Sequence, residues 1–276
     1  MLITGAGGML GSDMTPAFVS AHGSDAVVSL KREDLDITDA KKVREVLQAV
    51  RPTWVVNTAA YTAVDKAERE RELARSINET GPAILAEACA TLHIKLLHFS
   101  TDQVFDGKSN QPWTETDPTA PLNYYAETKL EGERAVLAYP QHLVLRVQWL
   151  YGRKKDRFTA LRNLETFSPF SDQRGAPTWT SHLAAICEKL VSQNFKGLYH
   201  FAHDDSATWA EVFQFVKEVM GYRVRLEPKT TESLALPAKR PLYCVLSNRK
   251  LVEALQVPGL GSWQLALSTF LSGVRH

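Results

Sequence analysis

Short apolar runs alternate along this chain with longer stretches in which apolar positions recur every three or four residues. Residues 1–4, 26–30, 54–57, 95–100, 143–146 and 197–201 read as strands. Residues 39–50, 76–92, 124–138, 208–220 and 262–271 carry helical periodicity, as does a stretch capped by Thr180 or Ser181. Val43, Val46, Leu47 and Val50 share one helix face, as do Ile77, Ile84, Leu85, Ala88 and Leu92. Ala126, Leu130 and Leu137 mark a half-buried helix, Leu183, Ile186, Cys187, Leu190 and Val191 a continuous stripe, and Trp209, Val212, Phe213, Val216 and Met220 another inward face. Strand and helix alternate, which predicts an α/β fold with a parallel, doubly wound sheet.

With 276 residues and 44% apolar content, the chain can build one large core and a smaller one. Its 32 basic and 31 acidic residues give a net charge of +1, without the basic bias a nucleic-acid binder needs. Cys89, Cys187 and Cys244 are odd in number and widely spaced, so they read as core thiols in a reducing compartment. His200 and His203 flank a strand end without ligand spacing, and no metal site is expected. The first strand opens at Met1, leaving no room for a signal peptide, and no apolar run approaches membrane length, so a cytoplasmic protein is expected.

The first strand runs into Gly5-Ala6-Gly7-Gly8-Met9-Leu10-Gly11. The common dinucleotide fingerprint fails here because Leu10 fills its sixth place, whereas a wider spacing fits Gly5, Gly8 and Gly11. Backbone amides and a helix N-terminus would then face a pyrophosphate. After the second strand, where an NAD site usually carries a carboxylate, stand Lys31 and Arg32. Two cations there favour a 2′-phosphate and hence NADPH over NADH, although both are also ordinary loop charges. Asp36 and Ile37 are candidates to border the adenine, while Thr38 and Asp39 equally suit the start of the next helix. Asn78 reads either as a buried structural amide or as part of a proton path.

The stretch 99–134 holds the candidate chemistry. Thr101 emerges at the carboxyl end of a buried strand, where open α/β sheets place ligands. Tyr125 and Lys129 are four apart on the following helix and share a face, whereas Tyr124 points elsewhere. An adjacent ammonium would lower a phenol from its usual value near 10, preparing Tyr125 as a proton donor to a carbonyl oxygen.

Together these features resemble the extended short-chain dehydrogenase/reductase superfamily. More narrowly, NTAAYTAVDKAE (57–68), STDQVFDG (100–107), PLNYYAETKLEGE (121–133), RVQWLYG (146–152), DQRGAPT (172–178) and AKRP (238–241) resemble the dTDP-4-dehydrorhamnose reductase family. The resemblance implies a Rossmann-type fold with a dinucleotide domain over 1–150 and a smaller C-terminal α/β substrate-binding part over 151–276, some of which returns to the main sheet. It implies NADPH-dependent reduction of the 4-keto group of dTDP-4-dehydro-L-rhamnose, with NADH left open as cofactor. Tyr125 would be the general acid, Lys129 would hold the nicotinamide ribose and lower the Tyr125 pKa, and Thr101 would bond the keto oxygen. The implied cofactor site comprises Gly5, Gly8, Met9, Leu10, Gly11, Lys31, Arg32, Asp36, Ile37, Ala59, Ala60, Tyr61, Asn78, Ser100, Tyr125 and Lys129. Val64, Asp102, Gln103, Trp149 and Arg240 would meet the dTDP-sugar, and a homodimer is compatible with the resemblance. From burial alone, Trp149 suits a core position equally well.

Two features depart from the family pattern. Gln103 replaces a tyrosine, and residues 158–171 are shorter than the usual helix and strand. In related nucleotide-sugar dehydratases the position of Gln103 holds a basic glutamate; a glutamine cannot titrate, which disfavours dehydration. The alternatives are a reductase of another dTDP-4-keto-6-deoxy sugar, an epimerase or dehydratase, and a non-catalytic subunit like the methionine adenosyltransferase β subunit, which resembles the same family.

Overall fold

Leu2–Thr4, Trp54–Asn57 and Leu143–Val147 are buried at every position, as apolar runs without alternation require of strands covered on both faces. The computed structural model describes residues 1–154 and 156–274. Its central sheet contains β1 (Leu2–Thr4), β2 (Val28–Leu30), β3 (Trp54–Asn57), β4 (Lys95–Thr101), β5 (Leu143–Val147) and β6 (Gly197–His200). Their order is β6-β5-β4-β3-β1-β2, and every pairing is parallel. The chain steps from β1 outward to β2 and then returns to β3 on the other side. The crevice between the carboxyl ends of β1 and β3 is therefore the switch point where such sheets bind ligands. The second strand is shorter than expected because Ser24–Ala26 forms a 3₁₀ turn.

Helices α1 (Met9–His22) and α5 (Thr180–Ser192) cover one face, packing Met14, Phe18, Leu183 and Leu190 onto Ile3, Val56, Leu97 and Leu145. On the other face α2 (Ala40–Val50), α3 (Gly81–Thr91) and α4 (Tyr124–Leu137) bring Val43, Leu47, Leu85 and Val136 onto Leu2, Val55, Leu96 and Val144. A separate aromatic core forms between α6 (Trp209–Met220) and α7 (Trp263–Ser272), with Tyr151, Phe158, Trp209, Phe213, Trp263 and Phe270. Strand β6 pairs with β5 and α5 lies in the same core as α1, so residues 180–200 complete the main sheet. The short segment 158–171 folds as a 3₁₀ turn, Thr159–Asn163, and a two-residue strand, Thr166–Phe167, paired with Arg225–Leu226. Among the described residues no helix is long and apolar enough to cross a membrane.

Helix α2 starts where Asp39 accepts hydrogen bonds from the amides of Lys41 and Lys42, so of the two readings for Asp39 the helix cap is the one realised. The helix expected over 76–92 begins earlier. Arg71–Arg75 is α-helical, Ser76–Thr80 is a π turn and Gly81–Thr91 resumes the α-helix. A charged run hides the first turn, and the π turn breaks the period on which the expectation rested. Such turns recur at functional sites, and here the bulge lets Asn78 face α4. Gly132 of α4 sits so close that a Cβ would overlap the Asn78 carbonyl oxygen.

Because that neighbour is backbone rather than a mobile side chain, Gly132→Ala should destabilise the protein by about 1–3 kcal/mol in urea unfolding. A loss below about 0.5 kcal/mol would mean that the two helices separate without cost.

Candidate active site

The glycine loop can turn where it does because two of its members carry no side chain. Gly5 has φ 67°, and a Cβ there would lie 2.5 Å from the Ala59 amide nitrogen. At Gly11 a Cβ would collide with the Gly5 carbonyl oxygen. The loop thus lies flat against the strand end at Thr58–Ala59 and delivers the chain into α1, for which Gly8 is the N-cap.

Beside it runs a groove of about 510 Å³ lined by Gly5, Gly7, Gly8, Lys31, Arg32, Asp36, Ile37, Ala59 and Ala60. A second chamber of about 380 Å³ is lined by Met9, Leu10, Ser100, Tyr125 and Lys129. Gly7, Gly8, Thr58, Ala59, Ala60 and Lys154 line both, so the two form one trough from the basic pair at Lys31 and Arg32 to Tyr125. Lys31 and Arg32 each have a carboxylate 3.8 Å away, Glu33 and Asp36, in solvent-exposed pairs. Asp36 also accepts from the Thr38 amide and hydroxyl, at 3.0 and 2.8 Å.

Helix α4 is positioned at its start by Asn123, whose side chain accepts from the Ala126 amide at 2.9 Å while donating to the Gln103 side chain and the Lys239 carbonyl. Glu68 accepts the Tyr124 amide at 2.9 Å. These caps place the next turns over β4. Lys129 is buried and donates from Nζ to the Phe99 carbonyl at 2.5 Å. Burial lowers its pKa to about 8, opposed by Glu133 one turn further along. Glu133 is held by Arg146 through bonds of 2.9 and 2.5 Å, and Arg146 is 3.2 Å from His200.

Under Lys129 a buried polar chain crosses the sheet. Thr4 donates to Asn57 Oδ1 at 2.7 Å, which leaves Asn57 Nδ2 to donate to His98 Nδ1 at 3.1 Å. That arrangement puts the His98 proton on Nε2. Burial, then the Lys129 charge, hold His98 well below its usual value, so the ring is neutral beside the ammonium.

Burial pushes the Tyr125 phenol up to about 12, the Asp102 carboxylate adds to the rise, and the neighbouring Thr101 hydroxyl opposes it. The expected lowering by Lys129 does not appear in this structure. The ammonium is turned to the Phe99 carbonyl, and loss of solvent outweighs its field at the phenol. The phenol is therefore fully protonated at neutral pH, the form a general acid needs.

A family profile described as RmlD substrate binding domain matches residues 1–276. A dTDP-4-dehydrorhamnose reductase of Streptomyces griseus is 40% identical over 280 residues, covering 97% of this chain and 91% of the relative. A dTDP-4-keto-6-deoxy-D-glucose reductase of Streptomyces niveus is 38% identical over 277 residues, covering 97% and 94%. The crystal structure of dTDP-4-dehydrorhamnose reductase from Bacillus anthracis str. Ames in complex with NADP matches with a TM-score of 0.94 at 30% identity, covering 99% of this chain and 98% of that one. The chain belongs to the dTDP-4-dehydrorhamnose reductase family.

Within this member of the dTDP-4-dehydrorhamnose reductase family, several residues expected at the site are engaged with other parts of the protein. Gly11 closes the loop rather than lining the trough. Asn78 is a structural amide: its oxygen accepts the Tyr61 amide and its nitrogen donates to the Tyr61 carbonyl and Thr128, leaving no N–H for a ligand. Tyr61 turns its hydroxyl to Glu70 at 2.8 Å. Asp102 lies beneath Thr101, whose hydroxyl donates to its Oδ1 at 2.9 Å, so its carboxylate supports the threonine instead of facing substrate. Trp149 is half-buried at the edge of the aromatic core and stacks on Trp209 with ring centroids 4.1 Å apart. Arg240 is engaged by Asp65 at 2.8 Å. Val64 packs against the cluster that holds Tyr61, Tyr125 and Ala126, and Gln103 is held by Asn123.

Sequence reasoning missed Asn123, Asp65, His98 and Lys154. An asparagine immediately before a helix is a capping signal, so Asn123 was readable. The other three act through contacts far apart in sequence.

Burial raises Asp102 from 3.8 to about 6. A carboxyl raised on folding stabilises the folded state below its unfolded pKa, and this contribution is lost as pH climbs from about 4 through about 6. Asp102→Asn lacks this titration, so its stability relative to the parent should rise by on the order of 2 to 3 kcal/mol between pH 4 and pH 7. A pH-independent difference in chemical denaturation would contradict a buried, raised carboxyl.

Proposed function

We propose that this chain reduces the 4-keto group of dTDP-4-dehydro-L-rhamnose to give dTDP-L-rhamnose, using NADPH. The observation that carries the reading is the single trough that starts at two exposed cations and ends at a buried Tyr125–Lys129 pair beside Thr101. Its residues fit the cofactor. Gly5, Gly7 and Gly8 line the trough without side chains, which suits a pyrophosphate, and Lys31 with Arg32 suits a 2′-phosphate.

Bound NADPH supplies the hydride that the sugar C4 receives. Tyr125, which lies beside Thr101, donates its phenolic proton to the C4 oxygen. Lys129 uses one of its three N–H groups on the Phe99 carbonyl and keeps two for the cofactor's ribose hydroxyls. Glu133, one turn further along, balances its charge. Asp102 fixes the Thr101 hydroxyl. Arg240 reaches the substrate diphosphate once it exchanges its Asp65 partner for a phosphate, as a guanidinium readily does.

A second reading, reduction of another dTDP-4-keto-6-deoxy sugar, is favoured by the Streptomyces niveus relative and by Gln103 standing where the family carries tyrosine. Both substrates are distinguished by the same assay: nicotinamide absorbance should fall when the purified protein meets dTDP-4-dehydrorhamnose and NADPH. No fall with that sugar, but turnover with another dTDP-4-keto sugar, selects the second reading.

Tyr125→Phe should lower kcat by about 10² to 10⁴ while NADPH binds nearly unchanged, since only the proton donor is removed. Wild-type turnover by that variant would mean that another group is the acid. The profile of kcat/KM should fall above about pH 8 as the free-enzyme Lys129 loses its charge; a flat limb to pH 10 would show that the ammonium is not needed.

A further inference from the structure

Two lysines approach Gly7. Lys31 lays its aliphatic stem along the glycine, so that a Cβ at Gly7 would lie 3.5 Å from Lys31 Cγ. Lys154, on the loop after the two-residue strand Leu150–Tyr151, donates its ammonium to the Gly7 carbonyl. Lys154 comes from the part of the chain that builds the aromatic core, yet it lines both chambers of the trough at their common middle. An extended dinucleotide carries its pyrophosphate in the middle, with adenosine toward Lys31 and Arg32 and nicotinamide toward Tyr125.

The charge of Lys154 is also uncommitted. Lys31 and Arg32 each have a carboxylate neighbour, whereas no carboxylate pairs with Lys154 among the described residues. Its partner is a neutral carbonyl, for which a pyrophosphate oxygen is the stronger substitute because both partners are then ionised.

We propose that Lys154 is a cofactor-binding residue whose ammonium closes over the pyrophosphate from the substrate side of the molecule. The proposal rests on the trough being a dinucleotide site. Because the pyrophosphate is common to both nicotinamide cofactors, Lys154 contributes affinity without choosing between them, whereas Lys31 and Arg32 make the choice. It also ties the aromatic-core half of the chain to the glycine loop once cofactor is bound.

Isothermal titration of NADPH, NADH and adenosine 2′-monophosphate into the wild type, Lys154→Ala and Lys154→Arg tests this without reference to turnover. Lys154→Ala should weaken NADPH and NADH alike, by roughly tenfold or more, as expected for a lost bond between two charged groups. Adenosine 2′-monophosphate should bind unchanged, and Lys154→Arg should restore most of the affinity. Unchanged affinity of Lys154→Ala for both dinucleotides overturns the proposal and leaves the dinucleotide site standing. A loss confined to NADPH overturns it too, placing the ammonium on the 2′-phosphate. Absence of dinucleotide binding by the wild type removes the reading of the trough along with it. Lys154 is exposed, so the variants should match the wild type in thermal unfolding without cofactor.

Discussion

The ammonium of Lys129 against the carbonyl of Phe99 is the contact on which the site depends. A buried cation beside a neutral histidine is unfavourable unless its protons find acceptors, and one strand carbonyl supplies the first. Meeting that need fixes how far along β4 the helix α4 sits. Tyr125, one turn earlier on the same face, is then held at the carboxyl end of β4 beside Thr101. Glu133, one turn later, carries the compensating charge and is itself locked by Arg146. The Tyr125–Lys129–Glu133 ladder thus descends from the trough into the sheet, with Lys129 met by β4 and Glu133 by β5.

Two approaches between backbones support this placement. The Gly132–Asn78 contact brings α4 onto the π turn of the neighbouring helix, and the Gly5–Ala59 contact brings the glycine loop onto the end of β3. Between them lies the polar chain from Thr4 through Asn57 to His98, which joins the ends of β1 and β3 to the middle of β4. The strand ends that line the trough are therefore braced to one another on the face where Lys129 lands. Rigid strand ends beneath a site of this kind hold reacting groups in place before substrate arrives.

Most of the fold was legible because its signals are local. Alternating apolar runs and helical stripes gave six parallel strands close to their observed limits, and the glycine spacing gave the trough its loop. Tyr125 and Lys129 were legible because a helix makes residues four apart neighbours. What was not legible depended on contacts remote in sequence. The Tyr125 phenol rises because the helix is buried and Asp102 is near, which residue spacing alone does not show. Asp102, Trp149 and Arg240 have suitable chemistry for a sugar site, but their partners Thr101, Trp209 and Asp65 are chosen by the fold. The helix containing Asn78 started earlier than its pattern suggested because a π turn shifts the period.

The central claim is that the trough delivers a nicotinamide and a sugar ketone to one phenol. A crystal structure of the protein with NADP and dTDP-L-rhamnose tests it most directly. The account predicts the C4 oxygen about 2.6–3.2 Å from the Tyr125 hydroxyl and the dinucleotide running from Lys31 and Arg32 to Lys129. A sugar whose C4 lies away from Tyr125, with the phenol still enclosed by protein, would contradict it.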